Sequence, residues 1–590
     1  MCAINGITAG REEARVAAMN AATRHRGPDG TAIRIDEGIT LGFNRLAVID
    51  LSERAMQPMQ DALGRYLLVF NGEIYNYREL RRELTDYPFK SESDSEVILA
   101  AYTKWGEKAL ERFNGMFALA LWDTREKRLL LARDTAGIKP LYYFLEGQTL
   151  LFSSELKGLL AAGIPRKLDQ EAFGHYLRLL YVPAPLSMIA GVRKLLPGHV
   201  LSYQDGKISE KTFTSSCSTP SPTSYAEAKR AVRLTVEKAV ARQLVSDRPV
   251  GLYLSGGIDS SSILAAAAKT HPKINTYAVG FELEPGEEPE KFNADAHLAR
   301  ATAAAFGATH HEFFLTGSEA VELFMGAARA LDEPIGNSTA LAQLFLAKKV
   351  KPTATVVLAG DGGDELFGGY ERYRLSLIAE YFGLIFPFGK LGQRGIDRFA
   401  QLMFQKDSEL AHVLASGTYL PDTKRLFEKE FGRRDIASVL MAADERHWLV
   451  DEALARTDRM SMAHSVEVRV PLLDDEVRAL AHSLPRSYKI TSFVTKRILK
   501  DAFRDVLPSA ILTAPKRGWF SPGAKWLRRP EFVALAEDLF NSPGEVGELL
   551  NIMGMREIWT EHREKRQYHF TILWTLITFI AWAREYKITL

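Results

Sequence analysis

A Ser/Thr/Pro-rich stretch, Thr212–Ser224 (TFTSSCSTPSPTS), has no hydrophobic period and divides this chain into halves that fold by different rules. Before it, short apolar runs such as Tyr66–Phe70 (YLLVF), Phe117–Trp122 (FALALW) and Leu129–Ala132 (LLLA) alternate with turn residues, and Ser95–Trp105 reads as a helix. That pattern predicts an α+β domain dominated by sheets. After it, Val250–Leu254 (VGLYL) and Thr355–Leu358 (TVVL) each run into a Gly-rich turn, with Ala- and Leu-rich helical stretches between and beyond. Strands alternating with helices predict a parallel α/β sheet. From about Asp444 onward the pattern is mostly helical. The expected units are residues 1–210, a linker over 211–224 that contains Cys217, and residues 225–590.

Composition removes several function classes. A formal net charge of +2 lacks the basic excess of a dedicated nucleic-acid or membrane-surface protein. Two cysteines, Cys2 and Cys217, make neither a disulfide framework nor a structural zinc site, which fits a reducing cytoplasm. Arg11, Glu12, Glu13 and Arg15 interrupt the first apolar residues, so no signal peptide is expected. The uncharged stretch His569–Ala583 is 15 residues long, short of the roughly 20 that span a bilayer, and reads as a buried helix.

Chemistry concentrates in two places. Cys2 follows the initiator methionine. Removal of Met1 would leave a thiol and a free α-amine on one residue, and an α-amine titrates near ~7.7–8.0, so it can act as a base close to neutral pH. Downstream come Arg24–Gly30 (RHRGPDG), Arg45 in NRLAVID, Asn71–Gly72–Glu73 after YLLVF, and Ser93–Asp94 before a helix. In this order after Cys2 they resemble the class II glutamine amidotransferase domain, an N-terminal-nucleophile hydrolase built as an α-β-β-α sandwich. The resemblance spans about residues 1–210. It implies an oxyanion hole from the Asn71 side chain and the Gly72 backbone N–H. It also implies that Arg45 forks onto the glutamine carboxylate, that Leu46, Ala47, Val48 and Ile49 line the glutamine, and that Glu73 and Asp94 take its ammonium.

The second place is Leu254–Ser262 (LSGGIDSSS), after a strand and before a helix. Its glycines let backbone N–H groups face an anion, and the helix N-terminus adds a favourable dipole. It has no Gly-Lys-Ser/Thr, so it is not a Walker A loop. It resembles the SGGxDS loop of ATP pyrophosphatases, which cleave ATP to AMP and pyrophosphate. Ala359–Tyr370 (AGDGGDELFGGY) and Arg456–Asp474 (RTDRMSMAHSVEVRVPLLD) resemble signature segments of asparagine synthetases. The resemblance implies an ATP site of Leu254, Ser255, Gly256, Gly257, Asp259, Ser260, Val279, Ala359 and Gly360. It implies Mg²⁺ on Asp259 and Asp364, and Lys516 (in PKRGWFSP) facing the phosphates. Asparagine-forming members usually carry Glu where this chain has Asp361, an arm shorter by one C–C bond, about 1.5 Å.

The expected enzyme therefore releases ammonia from glutamine at Cys2, adenylates a carboxylate with ATP, and joins the two as an amide. Aspartate is the expected acceptor. The alternative is another carboxylate, such as a sugar acid in surface-polysaccharide synthesis or a natural-product intermediate. The expected partners are small molecules, with no nucleic acid and no membrane, and the resemblance implies a homodimer.

Overall fold

The computed structural model describes residues 1–217, 221–283, 292–385, 396–431, 435–514 and 520–590. In the N-terminal half, twelve strands form two antiparallel sheets. They are β1 (Ala3–Ile7), β2 (Gly30–Asp36), β3 (Ile39–Arg45), β4 (Met59–Gln60), β5 (Tyr66–Ile74), β6 (Gly115–Asp123), β7 (Arg128–Arg133), β8 (Tyr142–Glu146), β9 (Thr149–Ser153), β10 (Val192–Lys194), β11 (His199–Gln204) and β12 (Lys207–Thr212). One sheet has the order β10-β8-β9-β1-β3-β2 and the other β12-β11-β7-β6-β5-β4.

Strand alternation sorts the side chains. On β5, Leu67 and Val69 face the other sheet, where they join Ile4, Leu41, Phe43 and Phe152. Leu68 and Phe70 face the opposite way and pack with Val97 and Leu99 of the helix Asp94–Trp105. On the far side the helices Glu13–Thr23 and Leu156–Ala161 cover the first sheet. The result is the α-β-β-α sandwich expected from the sequence. Each run read as a strand there lies inside β5, β6 or β7.

The C-terminal half is built on five parallel strands in the order β15-β14-β13-β16-β17. They are β13 (Val250–Tyr253), β14 (Asn275–Phe281), β15 (Thr309–Leu315), β16 (Val356–Leu358) and β17 (Glu467–Arg469). From β13 the chain adds β14 and β15 on one side, then returns to add β16 and β17 on the other. The strand order therefore reverses between β13 and β16, and open α/β sheets bind ligands outside the carboxyl ends at such a point. The sequence reading assigned the end of the chain to helices. β17, three residues inside that region, supplies the fifth strand. The stretch 570–586 is a helix as expected, buried through most of its length.

The halves meet across buried charges. Arg26 is fully buried and donates to Asp458 Oδ2 at 2.7 Å, to Asp458 Oδ1 at 3.2 Å and to Glu155 Oε1 at 2.8 Å. Burial alone would push the Asp458 carboxyl up, but Arg26 and Lys139 beside it hold it down at about 2. Replacing Asp458 by Ala strands Arg26, and a buried pair broken this way typically costs about 3–5 kcal/mol. Urea unfolding of Asp458→Ala is expected to show that loss at neutral pH. In the parent the contribution is full above the ordinary carboxylate range of about 4 and disappears as pH falls through about 2. The difference between parent and variant should therefore shrink on acidification.

Candidate active site

Cys2 lies just before β1, at the edge of the inter-sheet core. Its backbone N–H donates to Asn71 Oδ1 at 3.0 Å, and its carbonyl accepts from Arg26 Nε at 3.1 Å. The thiol lies 3.9 Å from the Leu46 carbonyl. Burial pushes the thiol pKa up, and the Met1 ammonium beside it pulls it down. Asn71 and Glu73 share the face of β5 that carries Leu67 and Val69, so strand alternation turns both toward Cys2. Asn71 Nδ2 is buried and has no hydrogen-bond partner among the described residues. A buried amide donor left open beside a nucleophile is what an oxyanion site requires.

Gly72 pairs with Phe117 in the β5–β6 ladder. A Cβ there would overlap the Met116 carbonyl oxygen and lie 2.7 Å from the Phe117 Cα. Close backbone approach, not turn formation, demands glycine at this point. Arg45 donates to the Ser52 carbonyl at 2.8 Å and the Asp50 carbonyl at 2.5 Å, which orders the loop carrying Leu46, Ala47, Val48 and Ile49. Asp94 accepts from the Ile74 N–H at 2.9 Å, and burial pushes its pKa up to about 6. Glu73 is raised well above the usual carboxylate range by burial and by the Glu467 carboxylate.

The second cluster sits at the reversal point of the parallel sheet. Leu254 extends β13 with a hydrogen bond to the Tyr277 carbonyl at 2.9 Å. Ser255 Oγ and Ser260 Oγ lie 3.2 Å apart across the loop, and Gly257 caps the helix Ile258–Ala267. Val279 lies on β14, and Ala359 continues from β16 with its N–H on the Arg469 carbonyl at 2.8 Å. A Cβ at Gly360 would crowd Asp259 Cβ and Ser260 N at 3.0 Å, so the loops after β13 and β16 touch. Asp361 is pushed up to about 6 by burial, against the opposing effect of Arg456.

Lys496 reaches this cluster from a segment 237 residues beyond Asp259. It is ion-paired with Asp259 and lies 2.7 Å from Asp364 Oδ1. Lys516 lies outside the described residues. A Cβ at Gly363 would overlap Asp259 Oδ1, and one at Gly369 would overlap Asp364 Oδ1, so both glycines leave room for carboxylates. Two carboxylates beside a Gly/Ser-rich loop fit Mg²⁺, which takes one or two of them when it also binds phosphates.

Residues 1–214 match the family described as glutamine amidotransferase domain, and residues 231–584 match asparagine synthase. Asparagine synthetase (glutamine-hydrolyzing) 1 of Bacillus subtilis (strain 168) is 32% identical, over 99% of this chain and 96% of its own. The same species' asparagine synthetase (glutamine-hydrolyzing) 3 is 30% identical, over 83% and 81%. The asparagine synthetase (glutamine-hydrolyzing) of Gallus gallus is 27% identical, over 92% and 88%. The chain belongs to the asparagine synthase family. It is an amide-forming ligase that takes nitrogen from glutamine, within a family of ATP-using synthetases.

Several side chains that this asparagine synthase family member brings to its sites carried no signal in the sequence. Lys496 stands in SFVTKRILK, which matches no phosphate motif. Arg26, Arg456, Glu467 and Arg469 lie in quoted segments, but only the folded contacts assign them positions. Glu452 accepts from Arg456 Nε at 2.7 Å and from Asn337 Nδ2 at 2.8 Å, fixing that arginine near Asp361. Among the described residues no helix is long and apolar enough to cross a membrane. Gly72→Ala is expected to lower glutaminase activity by roughly 100-fold or more, the usual loss when an oxyanion donor is displaced. Amide formation from added ammonium should persist, because the second cluster lies on a different sheet. Parallel assays of glutamate release and ammonium-driven synthesis check this.

Proposed function

We propose that the enzyme makes asparagine, moving the amide nitrogen of glutamine to the side-chain carboxylate of aspartate. The convergence of Asp259, Asp364 and Lys496 on the loop after β13 carries the adenylating part of this reading. The relatives' names support aspartate as the acceptor.

After loss of Met1, the Cys2 α-amine takes the thiol proton and the sulfur attacks the glutamine amide. Asn71 Nδ2 and the Gly72 N–H receive the developing oxyanion. Arg45, Leu46, Ala47, Val48 and Ile49 hold the carboxylate end of glutamine, while Glu73 and Asp94 hold its ammonium. At the second site the loop Leu254–Ser260 cradles ATP phosphates, with Val279, Ala359 and Gly360 against the adenosine. The aspartate side-chain carboxylate attacks the α-phosphorus, and Lys496 moves from its carboxylate partners to the charge that develops on the phosphates. Mg²⁺ held by Asp259 and Asp364 would neutralise that same charge. Asp361, beside Arg456, takes a proton as ammonia attacks the acyl carbon. Organisation into units 1–210 and 225–590, a cytoplasmic location and a homodimer belong to this proposal through family resemblance.

Lys496→Met is expected to lower ATP–pyrophosphate exchange by roughly 100–1000-fold, as for loss of one transition-state donor, with glutaminase activity retained. Exchange kinetics under saturating ATP test it. Full exchange in the variant would remove Lys496 from the mechanism.

The acceptor is decided by mass spectrometry of products made from ATP, glutamine and a panel of acids. Asparagine, AMP and pyrophosphate are expected. The shorter Asp361 arm favours one second reading, amidation of a different carboxylate seated about one bond closer. If Asp361→Glu raises activity with aspartate and lowers it with another acid of the panel, that acid is the acceptor.

A further inference from the structure

The amine of Met1 shows where a nitrogen can be held between the two sites. Its ammonium lies 2.7 Å from Glu467 Oε2, and neither side chain is exposed. Glu467 belongs to β17, so a residue of the synthetase half reaches the glutaminase site. Its other oxygen, Oε1, accepts from Arg469 Nε at 2.7 Å. Arg469 is anchored by donating to the Gln243 carbonyl at 2.7 Å and the Val245 carbonyl at 2.6 Å. Glu467 is thus a fixed acceptor with one oxygen turned to an amine.

On the same face of β5 and just beyond it, Asn71 Nδ2, Glu73 Oε2 and Tyr75 Oη are buried without a hydrogen-bond partner among the described residues, while Arg469 Nη2 lies 3.4 Å from Glu73 Oε1. Three open polar atoms on successive residues of one strand face describe a site for a polar ligand, since such groups are normally satisfied. Asn71 and Glu73 are accounted for by glutamine. Tyr75 and Glu467 are not. Once Met1 is gone, Glu467 Oε2 loses its Met1 partner.

We infer that Glu467 is the carboxylate that receives the ammonia released at Cys2. This rests on the proposed glutaminase reaction. As the Cys2 sulfur–carbon bond forms and the glutamine carbon–nitrogen bond breaks, the α-amine returns the thiol proton to the leaving nitrogen, so neutral ammonia departs. An N–H of that ammonia then donates to Glu467 Oε2, in the position the Met1 amine occupies. The ionised Glu467 carboxylate pulls ammonia toward ammonium, and Arg469 beside it, with Lys139, whose field also reaches Glu467, offset that pull. Beyond Glu467, the apolar cluster around Met1, with Leu46, Val48, Met116 and Ile138, continues to Leu254 and Ala359 at the ATP loops.

The test uses full-length chain beginning at Cys2, verified by intact mass, with amide-¹⁵N glutamine, excess unlabelled ammonium, ATP, Mg²⁺ and aspartate or whichever acid of the panel is amidated. The parent should transfer ¹⁵N preferentially. In Glu467→Gln the labelled share of the amide should fall by roughly 10-fold, the factor that loss of one charge-assisted hydrogen bond typically carries, while synthesis from ammonium continues. If the variant keeps the parent's labelled share, or if its ammonium-driven rate falls just as far, Glu467 is structural and the inference is overturned. A parent that hydrolyses glutamine yet forms no amide overturns the functional reading as well. Should Glu467→Gln fail to fold, Glu467→Asp carries the same readout with a smaller fall expected.

Discussion

Arg26 is the group around which the two halves are arranged. It sits in a short helical turn of the N-terminal half, donates to the carbonyl of Cys2, and forks onto Asp458 of the C-terminal half. A buried guanidinium is tolerable only when its donors are matched. Here the matching groups come from the nucleophile's own backbone, from Glu155 and from the opposite half. Position of the nucleophile and attachment of the halves therefore depend on one side chain. The helix Ala455–Met462, which carries Asp458, also carries Arg456 toward Asp361. About half a turn of helix separates the contact that reaches Arg26, and through it Cys2, from the one beside Asp361.

The joint continues in the same chemistry. Lys139 pairs with Asp458 at 3.5 Å, Lys194 with Glu333 at 2.9 Å, and Arg469 with Glu73 at 3.4 Å. Separating the halves would leave these charges in water without geometry, or in protein without partners. Such a surface differs from the exposed, polar interfaces that let domains move freely. It favours a fixed distance between the two reactions.

Much of this was legible in the sequence because the determining forces are local. Alternation in YLLVF and FALALW follows from the two-residue period of a strand, and Asn71 faces Cys2 by the same arithmetic. The Gly-rich turns after VGLYL and TVVL marked the two loops that meet at the carboxyl end of the parallel sheet, since glycine and hydroxyl clusters leave a local signature. What was not legible depends on distant partners. Lys496 meets Asp259 only because the chain folds back, and no spacing rule spans such a loop. β17 is three residues long, too short for any period to show. Glu467 was visible as a letter within a signature segment. Its role needed the amine on the other half to be seen beside it. Lys516, singled out by its neighbours in PKRGWFSP, fell outside the described residues.

The helix Phe570–Tyr586 has a consequence for how the enzyme is made. Its Phe579 ring lies 4.4 Å from that of Phe173, and Thr589 bridges to Lys167, so it completes the core of the first half. Domains generally fold in the order of synthesis, yet this wall is translated roughly 400 residues after the part it supports. The helix Gln170–Leu179 cannot be covered on the ribosome before the end of the chain exists. A ribosome that stops early leaves a fragment lacking both that wall and the Asp458 that holds Arg26.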